Sequence, residues 1–139
     1  FSRVGSYLLL ALYFGLMIYL YTVQLVRVKT ITLNVIYATL CLYLITGLFW
    51  GSLYAFLYLV SPGSYSGALL DNAQSGILNV FNYFSLVTLT TLGYGDITPQ
   101  TSGAGALCQM EAIFGQFFTA VVVAWLVGKF VSGGQRNTK

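Results

Sequence analysis

Three long apolar runs separated by short polar breaks organise this chain: Val4 to Val26, Ile31 to Val60, and Ala104 to Val131. A helix needs about 20 mostly apolar residues to cross a hydrocarbon core, and each run is long enough. Gln109, Glu111 and Gln116 are the polar interruptions of the third. The second exceeds the thickness of a membrane, so it is expected to tilt or project beyond it. The first is too long for the apolar stretch of a signal peptide and lacks a clear small-residue cleavage site. It reads as a true helix.

Between the second and third runs the texture changes. Ser61-Pro62-Gly63-Ser64 ends the second helix, and the residues up to Gly76 are polar and turn-rich. Ile77 to Thr90 is again apolar but too short to cross, which predicts a re-entrant helix with Ser75 as its N-cap. Next comes Thr91-Leu92-Gly93-Tyr94-Gly95-Asp96, where two glycines flank a tyrosine. Gly93 and Gly95 can adopt positive φ and turn consecutive carbonyls toward one axis, so the segment offers backbone oxygen rather than side chains. Non-helical backbone at membrane depth is tolerated only when it lines a watery path or is buried in protein. One chain of this size cannot supply that surrounding, so residues 91–95 need neighbours.

Composition narrows the function. The chain is 58% hydrophobic and 6% charged, which places it among membrane proteins. It has no histidine, and its acids are Asp71, Asp96 and Glu111. The usual metal and acid–base sites cannot be assembled from that inventory, so no enzyme is expected. The net charge of +3 arises from Arg3, Arg27, Lys29, Lys129, Arg136 and Lys139, all at or beyond the ends of apolar runs. They set topology and form no patch for nucleic acid. Arg27 and Lys29, with the basic residues after the third run, predict cytoplasmic positions for both regions and put residues 61–76 outside. The N-terminus then lies outside with Arg3, a mild violation that one more upstream helix would remove. The chain begins at Phe1 rather than Met, as a fragment or a trimmed protein does, and any cytoplasmic sensor is expected to be missing from it. Cys41 and Cys108 fall within apolar runs and are expected as small buried hydrophobes rather than a disulfide. Regularly spaced arginines, the mark of a voltage-sensing helix, do not occur in the first run.

The Thr91–Asp96 segment resembles the selectivity filter of the potassium-channel superfamily, in the pattern Thr-x-Gly-Tyr-Gly-Asp. The resemblance covers residues 31–131 and implies an all-α membrane protein with a re-entrant pore helix and filter loop, assembling as a tetrameric pore. In that frame residues 1–30 are an additional N-terminal helix and its cytoplasmic connection. The pore domain, 31–131, divides into outer helix 31–60, turret 61–76, pore helix 77–90, filter 91–96 and inner helix 104–131, and 132–139 form a short polar tail.

The same resemblance assigns roles. The carbonyls of Thr91, Leu92, Gly93 and Tyr94 would form successive potassium sites, with Gly95 completing the filter and the Thr91 hydroxyl facing the cavity. The Tyr94 ring would pack behind the filter, whereas the other tyrosines read as interfacial belt residues. Leu92 stands where valine is commoner, and its side chain must also pack behind the filter. Val87 stands where some relatives carry a glutamate, and Tyr83 where many carry a tryptophan, so a Tyr83–Asp96 hydrogen bond is expected at the outer mouth. The pore helix would aim unpaired carboxyl-terminal carbonyls at the cavity. Gly115, nineteen residues after Asp96, would be the gating hinge, or else a glycine that lets helices pack closely. Gln116 and Thr119 would wet the upper cavity, while Val123 and Val127 form an apolar constriction. Glu111, one turn from Gly115, would support the filter from behind, held neutral or bound to the pore helix or a neighbouring subunit.

The function implied is a potassium-selective channel of the plasma membrane, with three identical subunits and the lipid bilayer as partners. No cofactor is expected, and potassium ions are the permeant ligand. A cation channel that also passes sodium would be separated by reversal potentials. A non-conducting scaffold or accessory subunit would be separated by barium-blocked potassium flux in liposomes.

Overall fold

The computed structural model describes residues 3–28, 32–72 and 76–134. Five helices and one short strand pair make up these residues: α1 (Arg3–Arg27), α2 (Leu33–Val60), β1 (Tyr65–Ser66), α3 (Ala68–Asp71), α4 (Ile77–Leu89), β2 (Thr98–Pro99) and α5 (Ser102–Gly134). Helices α1, α2 and the Ser102–Trp125 portion of α5 are long and apolar enough to cross a membrane, and α4 is a shorter apolar helix. Ser75 lies outside the described residues, as do Lys29, Arg136 and Lys139. Gly76 holds the N-cap position of α4 without a side-chain cap.

Helix α2 is apolar all round, the pattern of a helix with no water-facing side. Its buried hydroxyls bond back along the helix: Thr39 to the Val35 carbonyl, Thr46 to Leu42 and Ser52 to Leu48, each at 2.8 Å. That satisfies polar groups which would otherwise cost free energy in an apolar setting. The helix stops where Pro62 follows the Ser61 cap, and Gly63 turns the chain at φ +85°.

The turret carries more order than its turn-rich composition suggests. β1 and β2 pair antiparallel, Tyr65 opposite Pro99 and Ser66 opposite Thr98, and the Gln100 amide donates to the Ser64 carbonyl at 2.8 Å. The residues before α4 are thereby tied to those after Asp96. Gly67 abuts the Asp96 carbonyl, leaving no room there for a Cβ.

The core lies where the C-terminal half of α2 meets α4, β1 and the start of α5. Trp50, Tyr54, Tyr65, Phe81, Phe84, Leu89, Ile97 and Ala104 form it. Its aromatic rings meet edge-on or tilted, with centroids 5.1 Å apart for Tyr54–Phe84 and 5.3 Å for Tyr65–Phe81, the spacing that ring quadrupoles favour. Tyr54 and Tyr65 are therefore core residues, not belt residues. Both rings are consumed in packing α2 and β1 against α4. Cys41 also departs from expectation: it stands exposed on α2, while Cys108 is half-buried. Helix α1 lies against α2 and buries only Ala11 among its described residues, so it is peripheral to the core.

Candidate functional site

Helix α4 ends at Leu89 with Thr90 as its C-cap, and the chain turns at once into residues 91–95. Here φ is +60° at Thr91, +57° at Gly93 and +76° at Gly95. No other non-glycine residue among those described has positive φ, so Leu92 and Tyr94 take ordinary handedness between them. Alternating handedness turns successive carbonyls to the same side of a strand. For a β-branched residue such as Thr91 this conformation is strained. An added Cβ at Gly93 or Gly95 would meet nothing within 4 Å, so glycine is required there by conformation rather than by space.

The end of α4 differs from expectation. Its last carbonyls are not unpaired: Leu86 accepts from the Thr90 amide and hydroxyl, and Thr88 from the Thr91 amide. Val87 accepts from the amides of Leu92, at 3.0 Å, and Gly93, at 3.3 Å. Leu89 accepts from the Tyr43 hydroxyl at 3.1 Å. The positive-φ turn folds the following amides back onto the helix end, as glycine-type helix caps do. The dipole of the aligned peptides remains; what changes is that it is not carried by free carbonyl groups.

Asp96 is held from two sides. Its Oδ2 accepts from the Tyr83 hydroxyl at 2.6 Å and its Oδ1 from the Ile97 amide at 3.1 Å. The hydrogen bond to Asp96 pushes the Tyr83 phenol up to about 12, so it remains a donor at neutral pH. Burial likewise pushes the Tyr65 phenol up, in the turret strand.

Behind α4, Glu111 is fully buried. Tyr54 Oη donates to its Oε2, and Ser85 Oγ contacts its Oε1. Of the partners open to it from the sequence, Glu111 thus has α4 of its own chain, together with α2. Tyr54 and Ser85 were not legible as its partners, standing 57 and 26 positions away. The available signal was chemical: an acid in an apolar helix requires hydroxyl donors.

Beside the turn, Thr91, Gln116 and Thr119 line an open groove of about 710 Å³, joined by Ala112, Ile113, Phe117 and Ala120. Val123 and Val127 lie farther along α5, exposed, and do not line it. Leu92 and Tyr94 are 56% and 64% exposed, so this chain does not itself provide the packing expected around these two side chains. Gly115 is buried against the Leu89 carbonyl.

A turn of alternating handedness at the end of a short helix, beside a largely apolar groove that carries Thr91, Gln116 and Thr119, is a set of parts suited to a dehydrated cation. A family model described as "Ion channel" matches residues 6–132. The chain belongs to this ion-channel family. Within it, the channel falls in the potassium-channel pore-domain superfamily, with its all-α membrane fold. The channel is 33% identical over 89 residues to the inward rectifier potassium channel Kirbac3.1 of Paramagnetospirillum magnetotacticum, covering 63% of this chain. It spans only 28% of that relative's length. No solved structure matches the channel.

Proposed function

We propose that four copies of this chain form a potassium-selective channel of the plasma membrane, through which ions pass passively. The observation that carries this reading is the alternation of positive and ordinary φ from Thr91 to Gly95. A dehydrated potassium ion needs rings of carbonyl oxygens in place of its water shell. One chain supplies a single rail of such oxygens, so closure about a fourfold axis completes the rings. The exposure of Leu92 and Tyr94 supports the same reading, because neighbouring subunits would cover them. The Kirbac3.1 relative is described as an inward rectifier potassium channel, which agrees with the ion chosen.

In this channel the carbonyls of Thr91, Leu92, Gly93 and Tyr94 are the ion sites, with the Thr91 hydroxyl nearest the cavity. Gln116 and Thr119 keep the upper cavity wet, and Val123 and Val127 form the constriction below, which closes by dewetting. Asp96 and Tyr83 brace the outer mouth. No catalytic group or cofactor takes part.

Reconstitution of the purified chain in liposomes tests the proposal. Barium-blocked potassium flux is expected, with a reversal potential that follows the potassium gradient when sodium opposes it. A reversal potential set equally by sodium would replace potassium selectivity with general cation conduction. Absence of flux from assembled tetramers would make the chain an accessory subunit.

A further inference from the structure

Ser85 Oγ, on α4, lies 2.7 Å from the Gly47 carbonyl of α2 and also contacts Glu111 Oε1 of α5. A serine hydroxyl has one hydrogen to give, and neither a carbonyl nor a carboxylate has any. If Glu111 were ionised, one of these two contacts would set oxygen against oxygen with no proton between them. The other carboxyl oxygen accepts from Tyr54, so the missing proton cannot come from that side. A proton on Glu111 Oε1 resolves the count. Glu111 then donates to Ser85, Ser85 donates to Gly47, and Tyr54 donates to Glu111, with every hydrogen used once.

The surroundings agree. The groups that face the carboxyl are Tyr43 and Tyr54 from α2, Tyr65 from β1, Ser85 from α4 and Cys108 from α5, and none is a cation. Every lysine and arginine of the chain stands at or beyond the end of an apolar run. A buried charge without a partner is costly, whereas a fully hydrogen-bonded neutral acid is not.

We propose that Glu111 is a positioning residue that works as a neutral acid, its one proton tying the pore helix through Ser85 to the outer and inner helices. The tie acts at Ser85, two residues before the Val87 carbonyl that caps the amides of Leu92 and Gly93. Loss of the proton leaves the Ser85–Gly47 or the Ser85–Glu111 contact without its hydrogen and frees this stretch of α4, and with it the filter turn. The hydrogen-bond assignment is independent of ion conduction; its consequence for flux rests on the potassium-channel reading.

Infrared difference spectra and potassium flux test the two parts separately. With the full chain in liposomes at neutral pH, wild type minus E111Q should show the C=O stretch of a protonated carboxyl. The band should shift in Y54F, which removes the donor to Oε2. A carboxylate band in its place would overturn the proposal. Glutamine can donate to Ser85 and accept from Tyr54, so E111Q should keep flux within about twofold of wild type, whereas E111L should lose about tenfold. Wild-type flux should fall as pH rises, and E111Q should be flat over the same range. Flux in E111Q as low as in E111L, or the same pH profile in wild type and E111Q, would overturn the positioning role. If E111L does not assemble, the Y54F band shift and the E111Q pH profile still decide. A protonated band in a protein without flux would retain the hydrogen-bond assignment and remove its consequence for conduction.

Discussion

Gly115 of the inner helix lies directly against the Leu89 carbonyl, the last of the pore helix, so that a Cβ at 115 would land on that oxygen. The position thus leaves no room for a Cβ, whatever bending the glycine allows in addition. Alanine at 115 must push α5 away from α4 or displace the carbonyl. Overpacking of this kind costs about 1–3 kcal/mol. Gly128, farther along the same helix, meets nothing within 4 Å. Its replacement by alanine should leave stability unchanged or raise it by up to about 1 kcal/mol, through helix propensity. Thermal unfolding in detergent, with flux in liposomes, should separate the two: G115A loses both stability and flux, and G128A loses neither. Equal behaviour of the pair would deny that the Leu89 contact matters.

The same carbonyl accepts from Tyr43 on the outer helix at 3.1 Å, so α2, α4 and α5 converge on one oxygen. Removing the Tyr43 hydroxyl should cost about 1 kcal/mol, the net worth of one such bond. Because both changes act on Leu89, Y43F and G115A should not add. A double-mutant cycle by thermal unfolding should give a coupling of at least about 0.5 kcal/mol. An additive pair would mean that the two contacts are energetically separate.

At Asp96, Y83F deletes the donor to Oδ2 and leaves the Ile97 amide as the remaining hydrogen bond. Single-channel records should show shorter openings and faster inactivation, with the permeability ratio of potassium to sodium unchanged. The pH dependence has a definite sign. The phenol is raised from 10.0 to about 12 by its bond to Asp96, so the folded state favours the protonated form. The stabilisation is complete below pH 10 and is lost as pH rises toward about 12. Wild type should approach Y83F behaviour only in that alkaline window; unaltered open times in Y83F would show that the bond does not brace the filter.

Local patterns in the sequence carried the membrane-length helices and the positive-φ turn at Gly93 and Gly95, whereas the Tyr83–Asp96 bond was expected only from the family resemblance. Apolar runs set helix lengths through the thickness of the bilayer, and two glycines around a tyrosine mark a turn that needs positive φ. Contacts that depend on packing between distant segments left no such pattern. Tyr54 looks like any membrane tyrosine until α2 and α5 are brought together, and then its hydroxyl is found on Glu111. The capping of the pore-helix carbonyls was missed because it depends on the handedness of Thr91, which nothing in a threonine announces. Cys41 was misread because an apolar helix within one chain still has an outward face, on which burial cannot be inferred from neighbours in sequence.

Thr91 sets stability against function most directly. It holds φ +60°, a conformation that costs an L-residue with a Cβ about 1–2 kcal/mol and a β-branched one at least that. Glycine at 91 removes this strain but adds chain entropy to the unfolded state, which offsets about 0.5–1 kcal/mol. The T91G chain should therefore be as stable as wild type or more so, by up to about 1 kcal/mol. It also loses the hydroxyl proposed as the ligand nearest the cavity, while the backbone carbonyl remains. Potassium flux should drop, and the loss should fall on conductance rather than on assembly. Thermal unfolding and single-channel conductance measured on the same preparation check both directions at once. A destabilised T91G with normal conductance would show that the threonine is kept for packing, whereas a stable protein with reduced conductance is what strain retained for ion binding requires.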